Sequence, residues 1–364
     1  MKKEMEKRME QNMGQSLLDE LDCGEIQKLI DGAVSGQGFD FLSCVRKMVQ
    51  GEWSLQGDGM EQLRALILSL GSREKSMVSS LLLLSLMGAL IHNFGKLWQS
   101  REVSQTSYYL VYLSFCTLLA ATFGKMYQMT RETLTLLLDF MKTLLPTYCV
   151  SLSFVQGAQV AGGYYGTTLF VITLAEYLLV KVALPAVNLY FVLLILDGLS
   201  GENMFSRMAA LLKSGVQSGA KTLLGFVLGM NVLQGLIVPL SGQVRQTALV
   251  RFGSAIPGVG GTVGAVTQMV LCTGGLVKNA LGVAGILAML WICGIPLIRL
   301  LIHQLAYRVV AALTEPVTEK RLISCLDGAA GAVYLLAYIL GVCSVLLAGS
   351  IAILCAATGV TGAA

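Results

Sequence analysis

Residues 256–308 read IPGVGGTVGAVTQMVLCTGGLVKNALGVAGILAMLWICGIPLIRLLIHQLAYR. Glycines dominate the first half of this stretch, and a long apolar run containing Pro296 follows. Small-xxx-small pairs such as Gly260/Gly264 let neighbouring helices approach closely inside a membrane. A proline in such a run frees backbone groups that only a packed protein interior satisfies within lipid. The stretch therefore predicts helices packed together in a membrane.

The composition of the whole chain leads to the same fold class. Hydrophobic residues make up 55% of the 364 and charged residues 13%, whereas soluble domains carry about 25% charged residues. Residues 1–76 hold 10 Lys/Arg and 13 Asp/Glu, while residues 77–364 hold 16 and 9. This basic surplus is typical of short membrane loops rather than of a nucleic-acid-binding face. We predict an all-α, polytopic helical integral membrane protein with no nucleic-acid partner.

Charge density divides the chain into three regions. Residues 1–24 alternate in charge without an apolar stripe and predict a mobile tail. Residues 25–76 carry 13 charges among short helical patterns and predict a small soluble helical region outside the bilayer. Residues 77–364 predict a transmembrane helical bundle with roughly seven spans of about 20 residues each.

Several apolar runs supply these spans, and prolines interrupt them. The clearest runs are 77–94, 108–123, 167–196, 223–240 and 329–357. Residues 128–143 carry four charges, which favours an interfacial or bundle-lining helix. A polar turn is expected at 156–166 and an amphipathic connector at 200–220. Because proline removes a helical hydrogen bond, we expect breaks within about three residues of each of four prolines: Pro146, Pro185, Pro257 and Pro296.

These four prolines also indicate an internal two-fold repeat. Pro146 and Pro185 are 39 residues apart, as are Pro257 and Pro296, and an offset of 111 superposes the two pairs. The order of elements around them predicts repeats at about 108–218 and 219–329. Paired broken helices in corresponding halves are typical of transporters. With six prolines in the chain, a chance coincidence of spacing is the alternative, and both interpretations are open.

A few charged residues in apolar surroundings are the candidate functional residues. Glu176 and Lys181 share one apolar run, and charges inside a membrane need a partner or water. They either line a polar path or serve packing, with Lys181 reaching an interface and Glu176 facing a neighbouring helix. Arg299, His303 and Arg308 follow Pro296 at spacings of 4 and 5 and are predicted to share one helical side. They either line a cavity or rest on lipid phosphates.

No constellation of residues points to catalysis. The sequence lacks a nucleophile with a neighbouring base, and the GxGG at 258–261 lacks the preceding strand of a dinucleotide-binding fingerprint. The nine cysteines include no CxxC pair, and the histidines are only His92 and His303. We therefore expect no enzymatic activity, no cofactor and no metal site.

Residues 252–327, FGSAIPGVGGTVGAVTQMVLCTGGLVKNALGVAGILAMLWICGIPLIRLLIHQLAYRVVAALTEPVTEKRLISCLD, carry a resemblance to a known family. The chain resembles the stage III sporulation protein AE family of endospore-forming bacteria. The shared features are an I-P pair, a glycine cluster, an LLKN-like segment, a GxxG step, a P-x-I-R element and a CLD-like turn. Weaker similarity extends through VRKMVQGEW at 45–53, so that the resemblance covers most of the chain from about residue 25.

The resemblance implies a multi-pass protein of the mother-cell membrane around the forespore. It also implies that the protein assembles with other stage III A sporulation proteins and stage II protein Q into a channel or secretion-like complex needed for forespore development. A structural membrane scaffold and a permease-like transporter of an unknown solute are the alternatives, and self-association is a further expectation. The family usually begins with a secretory signal, whereas this sequence begins MKKEMEKRME, so the side of the membrane occupied by residues 1–76 is open.

Overall fold

The computed structural model describes residues 24–33, 40–50, 79, 83, 86–87, 101–200, 204–254, 260–316, 318 and 320–359. Every regular element within these ranges is a helix, which confirms the all-α prediction. The α-helices are α1 Gly24–Ala33, α2 Phe41–Gln50, α3 Arg101–Gln156, α4 Ala158–Ala175, α5 Leu184–Ser200, α6 Ser206–Ser254, α7 Gly260–Thr314 and α8 Lys320–Gly359. A π-helical segment, Glu176–Ala183, joins α4 to α5.

Within the described ranges, three helical stretches are long and apolar enough to cross a membrane. They are Ala158–Leu199, Cys272–Thr314 and Lys320–Ala356, of 42, 43 and 37 residues. The predicted spans at 108–123 and 223–240 lie within α3 and α6. Residues 1–23 of the predicted tail and most of the span at 77–94 lie outside the described residues, so the total of about seven spans stays a prediction.

Helix α8 lies at the centre of the bundle and contacts α3, α5, α6 and α7. Small residues let it approach these neighbours: Gly328 lies against Leu194 of α5, and Gly349 lies against Leu228 of α6. Close backbone approach of this kind drives helix association in lipid, where hydrophobic burial contributes little. The fully buried side chains of α8 include Ala332, Val333, Leu335, Leu336, Ile339, Leu340, Cys343, Leu346 and Leu347.

The predicted helix breaks at Pro146 and Pro296 are wrong. Helix α3 continues through Pro146, and α7 continues through Pro296. Each proline removes one backbone hydrogen bond, and helices of 56 and 55 residues retain many others on both sides. Pro185 is the second residue of α5, directly after the π-helical segment, so the helix there changes its winding and does not end. Pro257 lies outside the described residues.

The turn between α3 and α4 is much tighter than the predicted turn at 156–166. Only Gly157 separates the two helices, with φ of 91°, a conformation that glycine adopts without steric cost. Residues 158–166 are already helical. Similarly, the predicted connector at 200–220 is not separate from the span at 223–240, because α6 runs unbroken from Ser206 to Ser254.

The helix boundaries bear on the predicted repeat. A long helix stands early in both halves, because α3 precedes α4 and α5 and α6 precedes α7. However, the offset of 111 would carry the turn at Gly157 to residue 268, which lies inside α7. The two halves therefore differ in their helix boundaries at that offset, and the repeat stays a prediction.

The described part of the region 25–76 packs against the bundle. The ring of Phe41 in α2 meets that of Phe140 in α3 edge to face, with centroids 6.4 Å apart. The backbone N–H of Phe41 donates to Oε1 of Gln27 in α1 at 2.8 Å, which ties α1 to α2. This part of the region is helical, as predicted, and its position relative to the bilayer stays a prediction.

Candidate polar sites in the bundle

Helices α3 and α7 run antiparallel along one another. Nη1 of Arg299 lies 3.7 Å from Sδ of Met129, Gly285 lies against Leu144, and Gly274 lies beside Val155. Residue numbers thus rise along α3 as they fall along α7. The α7 side of this contact, residues 274–299, belongs to the candidate membrane span Cys272–Thr314. Residues 129–155 of α3 consequently lie alongside that candidate span.

Along this contact with α7, α3 carries a charged surface, which we call the polar face. Its residues recur at spacings of three and four, which places them along one side of the helix. An open groove of about 690 Å³ lies along this face, and the described residues that line it, from Gly124 to Asp139, all belong to α3. The polar face consists of Gln128, Arg131, Glu132, Thr135, Asp139 and Lys142.

Lys142 joins the polar face to the π-helical segment. Its Nζ donates to Oε2 of Glu176 at 2.9 Å and lies 3.3 Å from Oδ1 of Asp139. Glu176 is the first residue of the π-helical segment, a type of helix found frequently at functional sites. The side chains of Lys142 and Glu176 are each 37% exposed, so solvent screens their attraction.

The structure gives Glu176 a different partner from the one considered in the sequence. Its carboxylate pairs with Lys142 of α3, whereas Lys181 is exposed on the outer surface of the π-helical segment. Lys142 is separated from Glu176 by 34 positions. The tight turn at Gly157 brings them together, because it folds α4 back along α3.

The two arginines and the histidine after Pro296 do not share one face. Arg299 is half-buried, and His303 is 2% exposed with Nδ1 at 2.9 Å from the carbonyl oxygen of Arg299. Arg308 is exposed, because five residues turn a helix by about 500°, or about 140° past His303. The buried residue near this position is Tyr307, whose hydroxyl lies 2.7 Å from Oγ1 of Thr122 in α3.

A second polar cluster surrounds Lys278 of α7 and was missed by the sequence-based selection. Lys278 is 0% exposed, and Gly282, one helical turn further along α7, lies against the thiol of Cys355 in α8. Sγ of Cys355 lies 3.4 Å from the hydroxyl oxygen of Tyr148 in α3. Side chains of α3, α7 and α8 therefore meet around this position.

The two clusters differ in what they can do chemically. The polar face presents charges of both signs along an open groove, which suits contact with water, a solute or a second polypeptide. The Lys278 cluster is enclosed and offers a cation, a hydroxyl group and a thiol. Within the described residues, no group of three or more His, Cys, Asp or Glu side chains is arranged to hold a metal ion.

Comparison with known proteins connects this helical architecture to sporulation. A family model described as Stage III sporulation protein AE matches residues 39–358. Stage III sporulation protein AE of Bacillus subtilis (strain 168) is 24% identical over 252 residues, which are 69% of this chain and 63% of that protein. The match thus spans less than two thirds of that relative's length, and no solved structure matches. Because the family model covers most of the sequence, the chain belongs to the stage III sporulation protein AE family.

Proposed function

We propose that this protein is a membrane component of the channel complex that links mother cell and forespore, and that the polar face of α3 borders a hydrophilic path. Family membership supports the role in sporulation. The observation that supports a path is the position of the polar face beside the central part of a candidate membrane span.

Charges at this depth are incompatible with contact with lipid. Arg131 and Glu132 are exposed on the surface of α3, and a charged side chain in hydrocarbon costs roughly 3 kcal/mol or more unless it is hydrated or paired. The groove along the polar face leaves these side chains open on one side. A water-filled path bounded by α3 and by another polypeptide would hydrate them.

The polar face carries both signs of charge, with Arg131 and Lys142 against Glu132 and Asp139. A path lined in this way does not select strongly for one sign of solute. The wall opposite α3 would come from a second copy of this chain or from the stage III A proteins and stage II protein Q that the resemblance implies. The complex would lie in the mother-cell membrane around the forespore.

A structural scaffold is the competing proposal, because a face of mixed charge also suits the docking of a protein partner. In a scaffold no solute would pass along α3, and the polar face would be covered by protein in the assembled complex. A permease-like transporter would share the path and differ only in its solute. The path and the scaffold therefore differ in one requirement, because only the path needs an open groove.

Blocking the groove with a large side chain distinguishes the hydrophilic path from the structural scaffold. Gly124 lies in the groove and Gly163 lies on the exposed surface of α4, and a Cβ at either position would meet no atom within 4 Å. We expect Gly124→Trp to reduce heat-resistant spores in a strain lacking its own copy, while membrane abundance and co-purification with partner proteins stay normal. Gly163→Trp is the matched control and should sporulate as the parent does.

Two results would contradict the path. If Gly124→Trp sporulates normally, the groove does not need to be open. If Gly124→Trp reduces both spore formation and co-purification with partner proteins, the polar face is a docking surface, as the scaffold proposal states.

A further inference from the structure

A second groove, which we call the apolar groove, lies between the π-helical segment and α6 and has a volume of about 660 Å³. The buried side chains of Leu179 and Leu223 lie in its walls, and the exposed side chains of Leu211 and Phe226 lie at its opening. Of the described side chains that line it, only that of Thr222 carries a polar atom. The groove therefore suits a hydrocarbon ligand.

The apolar groove lies alongside a candidate membrane span. Helix α6 begins six residues after α5 ends, and the backbone N–H of Phe205 donates to Oδ1 of Asp197 at 2.8 Å. Helix α6 thus turns back along α5 and the π-helical segment and forms one wall of the groove. The other wall belongs to the candidate span Ala158–Leu199. In a membrane the groove would open towards lipid.

The width of the apolar groove separates the possible occupants. Its lining residues on α6 run from Leu211 to Phe226, about 22 Å at 1.5 Å per residue. A volume of about 660 Å³ over that length leaves a mean cross-section of about 30 Å². A helix with its side chains is at least about 10 Å wide and needs about 80 Å². A single hydrocarbon chain is about 4–5 Å wide, because non-bonded carbon atoms pack about 4 Å apart, and it fits.

The end of the apolar groove at Leu211 is basic. Arg207 lies four residues before Leu211, and Lys213 lies three residues before the lining residue Val216, so each cation borders the groove. Both are exposed. Helix α6 as a whole contains five Lys or Arg residues and no Asp or Glu. Basic residues near the end of a membrane-spanning segment attract anionic lipids.

We propose that the apolar groove binds one acyl chain of an anionic phospholipid whose headgroup lies at Arg207 and Lys213. The walls of the groove would cover the chain, and the two cations would donate charge-assisted hydrogen bonds to the phosphate. The lipid would fill the gap between α6 and the π-helical segment. None of the groove residues belongs to the polar face, so this site does not depend on the proposed path.

Native mass spectrometry of the detergent-purified full chain tests the proposal. The protein is titrated with phosphatidylglycerol or with phosphatidylcholine of the same acyl chains. We expect one saturable phosphatidylglycerol, bound about tenfold more tightly than phosphatidylcholine, because the cations favour a net negative headgroup.

A glycine in the wall provides a way to fill the apolar groove. Gly219 lines it and is exposed, and a Cβ there would meet no atom within 4 Å. Gly219→Leu should therefore fold and reduce phosphatidylglycerol affinity by about tenfold or more, because its side chain takes the place of the acyl chain. Gly225→Leu is the matched control in the same helix, since Gly225 is equally open and does not line the groove. It should bind as the parent does.

Three outcomes would overturn the proposal. One is equal phosphatidylglycerol affinity of Gly219→Leu and the parent, and another is equal affinity of the parent for the two lipids. The third is a dimer that Gly219→Leu converts to a monomer with lipid binding unchanged, because a second copy would then occupy the groove. The double variant Arg207→Gln with Lys213→Gln should lose the preference for phosphatidylglycerol. It decides if Gly219→Leu does not fold, and a retained preference would contradict the site.

Discussion

Charged residues in and beside the candidate spans occupy two different environments. The residues of the polar face are open on one side, and Lys142 and Glu176 meet there at 2.9 Å while each stays more than one third exposed. Lys278 is completely enclosed. An exposed pair tolerates exchange of its members, whereas an enclosed cation depends on every group around it. The two sites therefore call for different tests.

Reversing the charges of Lys142 and Glu176 tests whether these two side chains stabilise the protein as a pair. Glu176→Lys places two cations together, and we expect it to lower the free energy of unfolding by about 0.2–1 kcal/mol, the range for screened pairs. Lys142→Glu should have a similar effect, and the double exchange should restore most of the loss. Thermal unfolding of the three purified variants measures the coupling as a double-mutant cycle. The exposed Lys181→Glu is the control, and strictly additive effects of the two single reversals would refute the pair.

At the residue scale, sequence alone identifies the charges and not their partners. Glu176 is selected because it interrupts a long apolar run, and Lys278 meets the same criterion and could have been selected by it. Their partners could not, because Lys142 reaches Glu176 only through the turn at Gly157. Likewise, Cys355 comes close to α7 at Gly282, one turn from Lys278, only through the packing of α8 on α7.

Among the helices, close contact depends on glycine more than on proline. Proline is expected to break or kink a helix because it removes a backbone hydrogen bond. Helices α3 and α7 nevertheless continue through Pro146 and Pro296. That expectation describes an isolated helix, whereas here long flanking helices and packed neighbours keep the chain helical. The glycine-rich stretch, by contrast, behaves as the sequence predicted at Gly282 and Gly285, where α7 lies against side chains of α3 and α8.

Substitution of Gly282 tests the close contact between α7 and α8. A Cβ there would collide with Sγ of Cys355 and approach Tyr148 and Ile351, so we expect Gly282→Ala to destabilise the protein by about 1–3 kcal/mol. Gly275→Ala is the matched control in the same helix, because its Cβ would meet nothing within 4 Å. It should be neutral or stabilising by up to about 1 kcal/mol, since alanine favours the helix. Thermal unfolding in detergent compares them, and equal Tm values would show that α7 does not approach α8 this closely.

For the whole molecule, composition and the long glycine-rich stretch were sufficient to predict helical architecture and family. Those properties are spread along hundreds of residues, so errors at single positions do not alter them. The depth of the polar face was not predictable, because it follows from the antiparallel register of α3 and α7. The charges at 128–143 fitted either an interfacial or a bundle-lining helix, and contacts with α7 between Gly285 and Arg299 favour the second.

The most direct test of a hydrophilic path is the water accessibility of the polar face in native membranes. Thr135→Cys places a thiol in the groove, and Phe170→Cys places one on the exposed surface of α4 within the span Ala158–Leu199. Because the thiolate reacts, a charged, membrane-impermeant maleimide modifies only a thiol that water reaches. Mass spectrometry of peptides locates the adduct despite the native cysteines. We expect modification at position 135 and none at position 170, whereas protection of both positions in sporulating cells would contradict a water-filled path along α3.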